Sequence, residues 1–212
     1  MIRVRKSNIA PDALVQGYNA DGVCEQLLAD QDDKCYLCER RLKTNYQVEH
    51  LASQKNTDPQ YVNDWNNLFV ACEYCNRKKS DSYDHILSPF KYNLEDIIRH
   101  QVSFMQKIVE FESDDKSREV EETIQLLSLL FNGKLSFRNL REQRFYDEFV
   151  RKLNSFQAMI DKYLRGEREE YRQAIIEQLD IRSEYLGFKY TIIMENAVLK
   201  QDFAVYVQWN RK

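Results

Sequence analysis

Glycine and proline are scarce, with 5 and 3 in a chain of 212 residues. So few turn formers exclude long flexible linkers and an all-β design rich in tight turns. They favour helices joined by short loops. Long apolar runs are missing as well, and no stretch approaches the ~18 residues that a membrane-crossing helix needs. Residues Met1 to Ala10 carry no apolar segment of the kind that marks a secretory leader. The expectation is a cytoplasmic protein with no membrane partner. An excess of positive charge is absent too: 31 Lys and Arg stand against 34 Asp and Glu, a formal charge of -3. That excludes a protein that coats nucleic acid by bulk electrostatics. It leaves room for an enzyme that grips a few phosphates locally, and for a partner that supplies part of a binding surface.

What is present is a core. Hydrophobic residues make up 43% of the chain, and the length suits one medium domain or two small ones of about 100–150 residues. Three parts are distinguished. Residues 1–30 hold a short basic start (Arg3, Arg5, Lys6) and a helix predicted over Asp21–Ala29, with Asp21 as N-cap and Cys24, Leu27 and Leu28 on one face. Residues 31–92 hold all the chemical motifs. Residues 93–212 form a helical extension: Leu94, Ile97, Ile98, Phe104, Met105 and Ile108 recur at three- and four-residue steps, and so does the series from Phe145 to Leu164. Gly133 breaks the run between two helices. The acidic stretch 110–122 is expected to be a solvated linker or helix face. Tyr190–Met194 is left open between a short strand and a buried helical turn. The fold class expected is α+β, mainly α.

Four of the five cysteines come as two Cys-x-x-Cys pairs, Cys35/Cys38 and Cys72/Cys75. Each pair can aim two thiolates at one ion from a tight turn. Two such turns complete a tetrahedral site of four cysteine sulfurs, the closed geometry of structural zinc. Four unrelated core cysteines is the alternative, but paired spacing seldom arises twice in a short stretch. With four sulfurs around it, the zinc leaves no position for a catalytic water and acts as a staple. Cys24 stands alone and reads as a small buried apolar residue.

Between the knuckles run Tyr46-Gln-Val-Glu-His-Leu51 and Asp64-Trp-Asn-Asn-Leu-Phe-Val-Ala71, followed by Cys72-Glu-Tyr-Cys-Asn-Arg-Lys-Lys-Ser-Asp81. The first suits a strand or hairpin that presents His50 at a cleft. A neutral imidazole can take a proton from water near neutral pH, so His50 suits a general base. This order of Cys35/Cys38, Glu49-His50, Asn67, Cys72/Cys75 and Asn76 resembles the HNH endonuclease family. The Asn76-Arg-x-Lys79-Ser-Asp81 run is similar to the matching segment in the HNH domains of CRISPR effector nucleases. The resemblance implies a ββα-metal core that cleaves phosphodiester bonds in nucleic acid, with DNA the default substrate and RNA or transfer RNA open. It implies His50 as the base, with Glu49 and Asn76 holding a catalytic Mg²⁺ or Mn²⁺. Asn67 would tie loops together and orient the histidine, with Asn66 the neighbouring candidate. Arg77, Lys78 and Lys79 would hold backbone phosphates. Glu49 stands where Asp is common, and Asn76 where His is common. His85 and His100 lack such a setting and read as structural.

The opening Met-Ile-Arg-Val-Arg-Lys, the Cys-Tyr-Leu-Cys-Glu knuckle and the long helical C-terminal part together resemble a narrower group, the PtuB-like HNH proteins of retron and Septu anti-phage systems. That resemblance implies a toxic effector governed by an ABC-type ATPase partner (PtuA-like), within a retron ribonucleoprotein in some systems. Residues 93–212 would then dock the ATPase, or else only complete the nuclease core. The competing function is a non-catalytic zinc module that binds nucleic acid or protein.

Overall fold

The protein is described from a computed structural model, which covers residues 1–56, 58–134 and 137–207. The end of the expected extension, residues 208–212, lies outside them. Helix α1 (Asp21–Asp30) follows a start that includes a short 3₁₀ helix over Asp12–Gln16. Ala20 is its N-cap and Asp21 its first helical residue, so the Asp21 carboxylate faces the positive end of the helix dipole and does not cap it through its side chain. Val23 and Leu27, one turn apart, face the interior with no exposed area.

Strands β1 (Tyr46–His50) and β2 (Leu68–Cys72) pair antiparallel, and α2 (Glu73–Lys79) follows β2 directly. All five residues of β2 are buried, which explains why it reads as a continuous apolar run and not an alternating one. Gln31 closes the free side of this strand. Its amide accepts from the Val70 N–H at 2.8 Å and donates to the Val70 carbonyl at 2.9 Å. Every backbone group of a buried strand must find such a partner.

The remainder comprises α3 (Leu94–Ile97), a hairpin of β3 (Arg99–Ser103) and β4 (Ile108–Glu112), and five helices: α4 (Arg118–Asn132), α5 (Leu140–Leu164), α6 (Arg168–Gln178), α7 (Leu186–Glu195) and α8 (Ala197–Val207). Asn139 caps α5 through a full capping box with Glu142. Gly133 ends α4 with φ 84°, and a Cβ there would stand 2.6 Å from a Glu142 oxygen. Only glycine fits both demands.

One expectation is corrected, and two left open are decided. Leu94 to Ile108 is one helical turn followed by a hairpin, because the inward set there is His100, Val109 and Phe111, which alternates in the manner of strands. Phe104 and Met105, counted toward a helix face, sit exposed at the hairpin's turn. Of the two readings of the acidic stretch 110–122, the helix face holds at its end, where exposed Glu119 and Glu121 open α4, and the linker does not hold at its start, which is the end of β4 with Phe111 buried. Tyr190–Met194 is helical, inside α7.

One apolar core joins Leu27, Phe69, Leu94, Phe131, Phe149 and Phe188, so α4, α7 and the first half of α5 pack onto the hairpin and knuckles. A second core gathers Phe156, Tyr163, Ile175, Leu199 and Phe203 between the end of α5 and helices α6 to α8. The Met1 ammonium is buried in the larger core, 3.1 Å from Glu39 Oε1 and 3.1 Å from His100 Nε2. No helix among the described residues is long and apolar enough to cross a membrane.

Candidate functional site

The register of the β1–β2 hairpin sorts the chemistry to two ends. Tyr46 faces Cys72 at one end, and His50 faces Leu68 at the other. Four steps of strand separate them, ~13 Å at about 3.3 Å per residue.

At the first end, Cys35 and Cys38 come from the turn after α1, Cys72 ends β2 and Cys75 lies in the first turn of α2. The first turn is tight: Glu39 has φ 63° and its N–H donates to the Cys35 carbonyl at 2.9 Å. The four sulfurs are buried, all within 4.8 Å of one another, with Cys38 and Cys72 4.0 Å apart. Tetrahedral Zn–S bonds of about 2.3 Å set sulfurs ~3.8 Å apart, so this quartet fits a zinc ion. The thiols differ in character. Hydrogen bonds from the three neighbouring sulfurs push Cys72 far down, while burial pushes Cys38 and Cys75 up. Four buried thiolates are tolerable only around a cation, which binds as the protons leave. Among the described residues this is the group of three or more His, Cys, Asp and Glu side chains arranged to hold a metal.

At the other end, His50 Nε2 lies 2.8 Å from the Val62 carbonyl oxygen. A carbonyl only accepts, so Nε2 carries the proton and Nδ1 the lone pair. Nδ1 meets the Gln54 amide nitrogen at 3.4 Å. The Tyr18 ring stands edge-on with centroids 4.8 Å apart. Burial holds the imidazole below its usual range, and the Lys79 charge adds to this against the Val62 bond. The ring is therefore a neutral base, covered by the loop between the strands.

Glu49 and His50 are neighbours in sequence but do not act on one group. Glu49 Oε2 accepts from Tyr36 Oη at 2.5 Å and Oε1 from Lys79 Nζ at 2.8 Å. Lys79 also donates to the His50 carbonyl at 2.9 Å and has no exposed side-chain area. Burial raises the Glu49 carboxyl, and Lys79 opposes it. Asn76, three residues before Lys79 on α2, donates to Gln47 Oε1 at 2.7 Å. Glu49 and Asn76, expected to share a divalent ion, are thus engaged with other partners. The cation on Glu49 is an ammonium, and both carboxylate oxygens are committed. In this conformation the pair does not fit a bound Mg²⁺ or Mn²⁺.

Asn67 exchanges two hydrogen bonds with the backbone of Ala52, accepting at 2.8 Å and donating at 3.0 Å. Leu51 N–H also reaches the Asn67 carbonyl at 2.8 Å. The two ends of the loop covering His50 are thereby pinned together. Asn66 is exposed and makes no comparable tie, its N–H bonding the Asp64 side chain. Of the three cations expected to hold phosphates, Arg77 is exposed beside Glu73, Lys78 pairs with Glu142, and Lys79 is buried.

Sequence reasoning passed over several members of this site. Tyr36 sits inside a knuckle and carries no pattern of its own. Asp84 accepts from Ser53 N–H at 2.8 Å and Ser53 Oγ at 2.9 Å, tying the loop after β1 to the segment after α2. Lys6, read as part of an exposed basic start, is buried; it donates to the carbonyls of Trp65 and Leu68 on either side of Asn67. Burial pushes its ammonium down to about 7. Only Asp84 had a visible hint, its closeness in sequence to the Lys79-Ser80-Asp81 run.

Residues 35–82 match the family model for HNH endonuclease. No curated protein and no solved structure matches the chain.

Proposed function

We propose that the HNH segment at residues 35–82 is a working endonuclease that hydrolyses phosphodiester bonds in nucleic acid, DNA being favoured over RNA. One observation carries the reading. Within the matched segment His50 is a neutral imidazole whose Nε2–H is fixed to the Val62 carbonyl, which aims the basic Nδ1 away from its anchor. The geometry of a general base is a lone pair held in one direction by a bond at the opposite nitrogen. In this scheme a water displaces the Gln54 amide from its 3.4 Å contact with Nδ1, and Nδ1 takes a proton from that water as its oxygen attacks phosphorus. The P–O3′ bond breaks, the leaving 3′ oxygen takes a proton from solvent water, the imidazolium returns its own to solvent, and the ends are 5′-phosphate and 3′-hydroxyl. Asn67 and Lys6 hold the loop that carries Val62, and so hold the base. Zinc at the cysteine quartet maintains the hairpin. These steps use no second ion. An ion could reach Glu49 only after Lys79 leaves it.

The test is a cleavage assay on plasmid, single-stranded DNA and total RNA, with Mg²⁺, with Mn²⁺ and with neither. Wild type should cut, and His50→Ala should lose ~10²–10⁴-fold, the usual worth of a positioned base. A dependence on added ion would mean that Lys79 gives up Glu49 in the active state. Equal cutting by both proteins, or 2′,3′-cyclic phosphate ends, would overturn the scheme. If both are inert yet folded and zinc-loaded, the zinc interaction module becomes the better reading.

The finer reading places this nuclease with the PtuB-like effectors of retron and Septu anti-phage defence, governed by an ABC-type ATPase that docks on residues 93–212. It is supported by the sequence resemblance alone. Co-purification of such an ATPase with the full chain, abolished when exposed Val205 and Tyr206 on α8 are changed to Asp, would support it; undiminished binding would count against docking there.

A further inference from the structure

A cleft of about 720 Å³ lies on the zinc end of the hairpin, between residues 40–45, Cys72 to Tyr74 and one face of α5. Its charge is unlike that of the chain as a whole. Seven Arg and Lys side chains line it against three carboxylates, in a protein whose net charge is -3. The carboxylates are already matched. Glu73 faces Arg77 and Arg141, Glu148 faces Arg40 and Lys152, and Glu184 faces Lys152. Lys43, Arg144 and Arg151 remain: all three are exposed, and among the described residues none has an ion pair or side-chain hydrogen bond. Like charges gathered without partners raise the energy of the free protein and lower it when a polyanion arrives.

Spacing decides what kind of anion. Arg144 and Arg151 are seven residues apart on α5, two turns of one face, ~10.5 Å at 1.5 Å per residue. A single phosphate cannot touch both. A nucleic-acid strand, rising about 3.4 Å per phosphate, presents charges that cover this interval in roughly three steps. The cleft lies at the Cys72 end of the hairpin, the length of β1, ~13 Å, from its His50 end, so a strand that continues along the hairpin would reach the proposed base within about four nucleotides.

We propose that this cleft is a second phosphate track. It holds the backbone of the nucleic-acid substrate through Lys43, Arg144 and Arg151, at the end of the hairpin away from His50. It rests on the nuclease reading for its substrate class, and it places the main electrostatic grip on α5 and the first knuckle, outside the Arg77-Lys78-Lys79 run.

The experiment measures binding apart from cutting. Full-length protein carrying His50→Ala is titrated, without added divalent ion, into labelled DNA duplex and labelled single strand at salt from about 50 to 200 mM, the range over which counterion release is steep. Adding Lys43→Ala, Arg144→Ala and Arg151→Ala should reduce the slope of log K against log salt by about 2.7 on duplex and about 2 on single strand, from roughly 0.9 and 0.7 for each phosphate no longer neutralised. Each single change should remove about a third of that. A control removing three exposed cations outside the cleft (Lys91, Arg165 and Lys200 to Ala) should leave the slope unchanged. An unchanged slope in the cleft variant, or an equal fall in the control, would overturn the track; the first result would hand the cleft to another partner, such as an acidic protein segment. If wild type fails to cut in the separate assay while the cleft variant still loses its slope, the nuclease reading falls and the track stands. Cutting by wild type with no change in slope gives the converse.

Discussion

The two ends of one short hairpin are built on opposite principles. At the zinc end, four identical donors from three elements converge on one point, and all four are buried. At the histidine end, each polar group has a different partner: Val62 for His50, Ala52 for Asn67, Lys79 and Tyr36 for Glu49. The first arrangement would be strong because a single ion would satisfy all members at once. The second is specific because each member is fixed singly, and it fails one bond at a time. If His50 is the base of the proposed nuclease, the fold separates the two tasks and places the metal staple at the end of the hairpin away from it.

The largest break should come at the zinc end. Stripping the metal, or Cys72→Ser, should abolish cooperative unfolding and expose dye-binding apolar surface. The binding energy of a structural zinc, ~10–16 kcal/mol in small zinc peptides, matches or exceeds the ~5–15 kcal/mol that holds a typical domain together. Metal analysis should give one zinc per wild-type chain, and a zinc-free chain with an intact sharp transition would refute the staple. A smaller break lies at the joint between the ends. Lys79→Met leaves the Glu49 carboxylate buried without its ammonium, which should cost about 3–5 kcal/mol in urea unfolding. Adding Glu49→Gln should recover much of that, because both charges are then gone; a double variant no better than the single would show that the pair is not the source of the loss. The smallest expected effect sharpens the contrast. Asn67→Ala removes the two bonds to Ala52 and should cost about 1–3 kcal/mol. It should also lower cutting while zinc content stays at wild-type level. Zinc missing from that variant would mean that the two ends are not independent.

The cysteine quartet and the strands beside it were legible from the sequence because their signal is local: two residues between the cysteines of each pair, and an apolar run ended by Cys72. The long helix α5 was legible for the same reason, its inward residues recurring every turn over 25 residues. The β3–β4 hairpin was not. Its three buried positions alternate, but Phe104 and Met105 at the turn supplied apolar letters at helical spacing. The partners of Glu49 were out of reach for a different reason. Tyr36 and Lys79 meet it from 13 residues before and 30 residues after, and no spacing rule spans such distances. Adjacency misled as well: Glu49 and His50 share a peptide bond, yet the carboxylate turns to α2 and the first knuckle while the imidazole turns to the loop.

The first knuckle is fastened from far down the chain. Lys34 donates to the carbonyls of Ile181 and Ser183, Arg40 pairs with Glu148, and the Arg41 N–H reaches Glu184 at 2.7 Å. The Lys34 to Ser183 bond spans 149 residues. At a synthesis rate of about 5–20 residues per second, a ribosome needs ~7–30 s to make that interval. The cysteines and His50 are made in the first part of that interval, and the residues that fasten the knuckle, Ile181, Ser183 and Glu184, only at its end. Maturation of the proposed nuclease is therefore timed by the last quarter of its own message: a truncated chain would carry every HNH residue and still lack the fastening that sets them.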